Sequence, residues 1–310
     1  MNIAITGSNG LVGSALVPFL AAGGQHVMRL VRSSPGGDDV VWDPAQGVKD
    51  LSRLEGVDAV IHLAGENIAG GRWTRRRKDQ IRRSRADGTR RLCESLARLS
   101  RRPKVLVSAS AIGFYGDRGG EILTEDGAPG KDFLAQVCQE WEAATEPATR
   151  AGIRVVHLRF GMILSPAGGA LQKMLLPFRL GVGGRIGSGA QYVSWIAIYD
   201  TIGAIHHAVC TASLKGAVNG VSPNPVTNAE FTRVLARVLS RPAVLSMPAF
   251  ALRLVLGEMA DALLLTSARV MPTRLQASGY QFRYPELEGA LRHLLGRNQG
   301  TGESEKRGRR

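Results

Sequence analysis

Residues Thr6 to Gly13 read TGSNGLVG, closing the apolar run NIAIT (Asn2–Thr6) and opening the helical pattern LVGSALVPFLAA (Leu11–Ala22). Glycines at 7, 10 and 13 between a strand and a helix have a specific physical use. Gly7 permits a tight turn, Gly10 lets the backbone approach a pyrophosphate, and Gly13 lets the helix pack closely on the strand. The helix entrance then offers free N–H groups and positive dipole potential to phosphate oxygens. This stretch predicts a dinucleotide-binding βα unit, provided that further βα units follow.

They do. Val27–Val31, Val40–Trp42, Ala59–Leu63, Lys104–Val107 and Arg154–Leu158 read as strands, with helices expected within Thr74–Leu99 and Asp132–Thr149. Apolar strands separated by helices imply an α/β fold, a Rossmann-type doubly wound parallel sheet covered on both faces. After about Ser165 the alternation fades into the Gly-rich GVGGRIGSGAQYVSWI, a helix near Tyr199–Ala212, a short VNGVS strand and a mainly helical end. The expected division is a core over 1–165 with 195–220 returning to it, and a smaller C-terminal substrate lobe over 166–194 and 221–296. A disordered basic tail is expected over 297–310.

The second strand ends Val31-Arg32-Ser33, without the acid that an NAD site usually presents to the ribose. Arg32 suits a charge-assisted contact to a 2′-phosphate, so the expected cofactor is NADP(H). The alternative for Arg32 is an exposed arginine after a strand.

The net charge of +14 is concentrated. Residues 72–102 hold thirteen Lys/Arg against three Asp/Glu, and 297–310 hold five against two. A solvated arginine-rich helix face is the simple reading; polyanion binding is the alternative. Only Trp73 is interleaved with the cluster, so nucleic-acid stacking has little support. Three distant cysteines form neither a disulfide framework nor a metal-ligand pattern, and no metal is expected. With no leader-like N-terminus and no long apolar run, a cytoplasmic location and no membrane span are expected.

TGSNGLVG, HLAG (His62–Gly65), SASAIGFYG (Ser108–Gly116) and LRFG (Leu158–Gly161) resemble the extended short-chain dehydrogenase/reductase superfamily. AGENIAGGRWT, SRADGT, LLPFRLGVGGRIGSGAQYVSWI, PNPVTNAEFT and ASGYQFRYPELEGAL are similar, more narrowly, to the YfcH-type epimerase family, atypical members with their own C-terminal domain. The resemblance implies that Gly7, Ser8, Gly10, Leu11 and Val12 line the pyrophosphate and Arg32 the 2′-phosphate. It puts Leu63, Ala64 and Gly65 along the adenosine side and Ile163 near the nicotinamide. Gln80 and Arg85 would reach the cleft from their helix, the alternative being plain solvent exposure.

The superfamily's chemistry uses a Tyr and a Lys four residues later on one helix face, with a Ser at the end of a strand. Aligning Glu142 with the acid that usually follows the Tyr by eight residues puts Leu134 and Cys138 at the Tyr and Lys positions. Ser110 and Tyr115 remain as catalytic candidates, with a structural tyrosine as the alternative for Tyr115. Arg185, Gln191 and Trp195 are expected around the substrate. His62 reads as a core histidine, and Arg29, inside an apolar strand, needs a partner. The leading expectation is an NADP(H)-dependent oxidoreductase or epimerase acting on an unknown small molecule. The alternatives are an NADP(H)-binding sensor or scaffold and a polyanion-binding protein acting through Arg72–Arg102.

Overall fold

The structure, a computed structural model, describes residues 1–33 and 36–297. Almost all of the expected disordered tail lies outside the described residues.

The chain begins with β1 (Asn2–Thr6), α1 (Leu11–Ala22), β2 (His26–Val31), β3 (Val40–Asp43), β4 (Gly47–Val48), β5 (Ala59–His62) and α2 (Arg75–Ala97). It continues through β6 (Val105–Ala111), β7 (Ile122–Leu123), α3 (Phe133–Ala143), α4 (Glu146–Arg150), β8 (Arg154–Phe160), β9 (Met162–Leu164) and α5 (Gly169–Arg179). Then come β10 (Gly184–Ile186), β11 (Tyr192–Val193), β12 (Trp195–Ala197), α6 (Ile198–Cys210), β13 (Gly216–Gly220), β14 (Val226–Thr227) and α7 (Asn228–Leu239). The last elements are β15 (Leu245–Met247), α8 (Ala249–Leu256), α9 (Glu258–Ala260), β16 (Arg269–Val270), α10 (Thr273–Ala277) and α11 (Leu287–Leu294).

The main sheet has the order β13-β8-β6-β5-β1-β2-β3-β4, parallel except for the β3–β4 pair. Its central strands are buried on both faces and their side chains alternate between two cores. Ile3, Ile5, Ile61, Val107 and Leu158 point into one with Leu16 and Leu20 of α1 and Ile205 of α6. Ala4, Val60, Leu106 and Val155 point into the other with Leu92, Cys93 and Leu96 of α2. This two-residue period, with helices over both faces, makes the fold Rossmann-type, as expected. β1 pairs with β2 on one side and β5 on the other, so the chain reverses direction of growth at its carboxyl end, where such sheets hold ligands.

Where a single helix is expected over Asp132–Thr149, the structure has α3 and α4. Pro147 lacks the N–H needed to continue α3 but is tolerated in the first turn of α4. Arg29 in β2 finds its partner in Asp39, donating from Nε at 2.8 Å and from a terminal nitrogen at 2.6 Å. A third core joins Leu171 and Phe178 of α5, Trp195 of β12, Phe231 and Leu235 of α7, and Leu291 of α11. This C-terminal layer is joined to the Rossmann half by the pairing of β16 with β7, by Ala268 and Val270 packing with Phe114, Tyr115 and Leu123, and by polar contacts. Lys173 of α5 donates to the Ala69 carbonyl at 3.2 Å, and Lys78 of α2 to Glu258 at 2.8 Å.

Candidate functional site

At the switch point, Gly7 has φ +70° and its missing Cβ would stand 2.8 Å from the Leu63 carbonyl carbon. The turn therefore lies flat against Leu63 and Ala64, which follow β5. At Gly13 a Cβ would fall 2.2 Å from the Gly7 carbonyl oxygen, so only glycine lets α1 start this close to the turn. Ser8 is buried and does not have positive φ, so a serine is accommodated in the loop. Gly10 is exposed, and no side chain caps α1. The N–H groups of the first turn are left facing the groove, the electrostatic cradle that a pyrophosphate fits. Val12 packs inward on the core, while Leu11 lies under Gly168, whose Cβ would stand 3.0 Å from a Leu11 methyl.

A buried polar post sets the position of this floor. The Thr6 hydroxyl oxygen accepts from the N–H groups of Leu63 and Ala64 and lies 2.7 Å from His62 Nδ1. His62 Nε2 lies 2.9 Å from the Thr89 hydroxyl of α2. Burial brings His62 down to about 4, so the ring is neutral at neutral pH and works as a strut, the core histidine that its strand position suggests.

Arg85 reaches the groove. Its guanidinium carbon lies 3.3 Å from where a Cβ on Gly65 would stand, and it donates to the Glu66 carbonyl at 3.0 Å. Gln80 is exposed on α2 and makes no hydrogen bond among the described residues, so its placement gives no support to a cofactor contact. Arg32 is exposed just past β2 and forms no ion pair among the described residues, leaving its charge available. Ile163 pairs with Ile196 and packs on the first core, beyond the end of β8.

Ser110 and Tyr115 lie in a network that sequence reading did not anticipate. Arg159 of β8 grips Glu142 of α3 with two hydrogen bonds of 2.8 Å. The Ser110 hydroxyl donates to the same carboxylate at 2.7 Å. Arg159 also donates to the Tyr115 hydroxyl at 3.0 Å and stacks on Phe114, its guanidinium carbon 3.5 Å from the ring centroid. Tyr115 donates in turn to Asn219 of β13 at 2.7 Å. It is fully enclosed, and burial pushes its phenol up. This geometry favours the structural alternative for Tyr115 over a proton donor at the nicotinamide: the turn after β6 points the ring into the interior. An arginine within the apolar strand RVVHLRF was the available signal for this network, since such a charge requires a buried partner.

Leu134 and Cys138 face the same turn, 3.4 and 3.9 Å from where a Cβ on Gly113 would stand. Burial pushes the Cys138 thiol up to about 12, so it is protonated at neutral pH. Two expected substrate contacts are structural instead. Trp195 is fully buried with its indole N–H on the Asn224 carbonyl, and the buried Gln191 amide ties the carbonyls of Ile186 and Leu264 together. Arg185 is exposed beside α7. On α2 and just beyond it, Arg77, Lys78, Arg82, Arg91 and Arg101 each pair with a glutamate, which favours the solvated-face reading of the basic cluster.

Residues 3–219 match the NAD dependent epimerase/dehydratase family, and residues 247–294 match a domain of unknown function, DUF1731. This protein belongs to the NAD-dependent epimerase/dehydratase family. An epimerase family protein of Mycobacterium tuberculosis is 42% identical over 290 residues, covering 93% of this chain and 96% of that protein. The crystal structure of human epimerase family protein SDR39U1 (isoform 2) with NADPH superposes with a TM-score of 0.88 at 34% identity, covering 96% and 99% of the two chains. A structure described as a nucleoside-diphosphate sugar epimerase from Corynebacterium glutamicum gives a TM-score of 0.80 at 39% identity, covering 96% of this chain but 58% of that one. The epimerase-family assignment thus covers the Rossmann half and extends, through the DUF1731 match, to the C-terminal layer that reaches back over it.

Proposed function

We propose that this protein binds NADP(H) at the β1–α1 turn and acts as an oxidoreductase or epimerase on a small molecule, by a route independent of a Tyr–Lys pair on α3. The observation that carries the cofactor is the uncapped start of α1, pressed onto the Gly7 turn where Gly13 leaves no room for a side chain. Exposed Arg32 supplies the cation for a 2′-phosphate, and the human relative's crystal structure with NADPH supports the same choice. Leu63, Ala64 and Gly65 form the adenosine side, with Arg85 behind Gly65.

When bound, the nicotinamide supplies the hydride donor or acceptor. The protein's contribution is polar and positional. Leu134 has no proton to give and Cys138 holds its own, so neither replaces a tyrosinate or a lysine. The Ser110 hydroxyl donates a hydrogen bond to the Glu142 carboxylate, which Arg159 fixes in place, and keeps its oxygen lone pairs for accepting. It is the candidate for exchanging a proton with a substrate oxygen: in oxidation it takes the substrate's hydroxyl proton as its own passes to the Glu142 carboxylate, and reduction runs the reverse after Glu142 has taken a proton from solvent.

NADPH oxidation across a panel of aldehydes and ketones, run beside Ser110→Ala, tests this. Turnover should fall about 100-fold in the variant, with NADPH affinity unchanged. Full turnover in Ser110→Ala rejects the role of Ser110. The second reading, an NADP(H)-binding sensor without turnover, is favoured by the commitment of both the Ser110 and Tyr115 hydroxyls to internal partners. NADPH binding with no turnover of any substrate supports it.

A further inference from the structure

Large apolar side chains are unevenly exposed. Among the described residues, nine of the thirteen conspicuous ones lie in two segments, 172–190 and 240–256. The tertiary structure brings these segments together. β10 pairs with β15, the Gly187 N–H donates to the Met247 carbonyl at 2.9 Å, and Arg241 donates to the Arg179 carbonyl at 3.0 Å. α8 buries only Leu252 and turns Phe250, Leu254 and Val255 outward, at 72%, 76% and 65% exposure. Val244 beside it is 83% exposed, and Leu176 and Leu180 continue the face from α5. A concentration of exposed apolar side chains of this kind marks an interaction site.

Charge selects the occupant. The two segments hold five Lys/Arg and no Asp/Glu, although Arg253 of α8 is paired with Asp261 just beyond it. Arg179, Arg185 and Arg241 are exposed and form no ion pair among the described residues. A second copy docked about a two-fold axis would set this patch against itself, bringing each of these cations towards another with no acid from either segment between them. An anionic bilayer meets both requirements, accepting a protruding apolar helix at its interface and binding the arginines with its headgroups.

We propose that α8, β15 and the end of α5 form a docking surface for an anionic lipid bilayer. The surface is peripheral: no described helix is long and apolar enough to cross a membrane.

Co-sedimentation of the full chain with vesicles of phosphatidylcholine containing phosphatidylglycerol, against phosphatidylcholine alone, tests it. Binding should appear with the anionic vesicles, weaken as salt rises, and fall at least about tenfold in Phe250→Ser/Leu254→Ser. Both positions are exposed, and an unchanged melting temperature would establish that the variant is folded. Three results would each overturn the proposal. They are no binding to anionic vesicles, equal binding by the folded variant, and concentration-dependent dimerisation that the variant abolishes while vesicles remain unbound.

Discussion

His62 shows how one side chain can govern both the geometry of the cofactor floor and the acid sensitivity of the fold. Its folded pKa, about 4, lies below the ordinary 6.5, so the unfolded chain takes up a proton first as pH falls. Its stabilisation is therefore complete above about pH 6.5 and is lost progressively on acidification towards pH 4. The loss approaches about 3 kcal/mol. Urea unfolding at several pH values should show His62→Gln less stable at neutral pH but with a shallower decline through this window. A parallel decline would remove His62 as its source. Arg32 governs a different quantity. Its exposed guanidinium forms no ion pair among the described residues, so Arg32→Ala should leave stability unchanged and abolish the NADPH-over-NADH preference in binding titrations. A retained preference would sink the assignment.

Between elements, the Arg159–Glu142 pair joins β8 to α3 just below the SASAIGFYG turn, with side-chain exposures of 5% and 13%. Burying two charges gains stability only when both are present and well bonded, as they are here. Arg159→Met should cost about 3–5 kcal/mol, because Glu142 is left buried without its cation. Arg159→Met/Glu142→Leu should recover a large part of that, as read by denaturant midpoints and a double-mutant cycle. Equal losses in the single and double variants would show that Arg159 matters through packing alone, for instance on Phe114. The same pair keeps the Ser110 hydroxyl pointed at a carboxylate, so it fixes the candidate chemistry as well as the fold.

Over the whole molecule, cofactor binding and stability are linked. A ligand taken up only by the folded chain stabilises it by about 2.7 kcal/mol at a hundred times its dissociation constant. NADPH should therefore raise the melting temperature more than equimolar NADH does. Equal shifts would contradict a 2′-phosphate site. The β7–β16 pairing and the buried Ala268 and Val270 join the C-terminal layer to the Rossmann half from within, whereas some polar bridges between them are exposed. Lys78–Glu258 is one, and such pairs contribute about 0–1 kcal/mol.

Much of this architecture was legible along the chain because its signals are local. The strand–TGSNGLVG–helix sequence determines a turn, an uncapped helix start and a close packing contact, each set by residues within a few positions of one another. The two-residue alternation of Ile3, Ala4 and Ile5 likewise fixes which core each side chain enters once the sheet is parallel. Other features depended on residues far apart in sequence. Arg29 with Asp39, Ser110 with Glu142 and Arg159, and Tyr115 with Asn219 are pairings that only the packed sheet creates. The sequence left Tyr115 open between a proton donor and a structural tyrosine, because a strand end does not reveal which way the following turn points. The tertiary structure turned it inward, where Arg159 and Asn219 satisfy a hydroxyl that burial has removed from water.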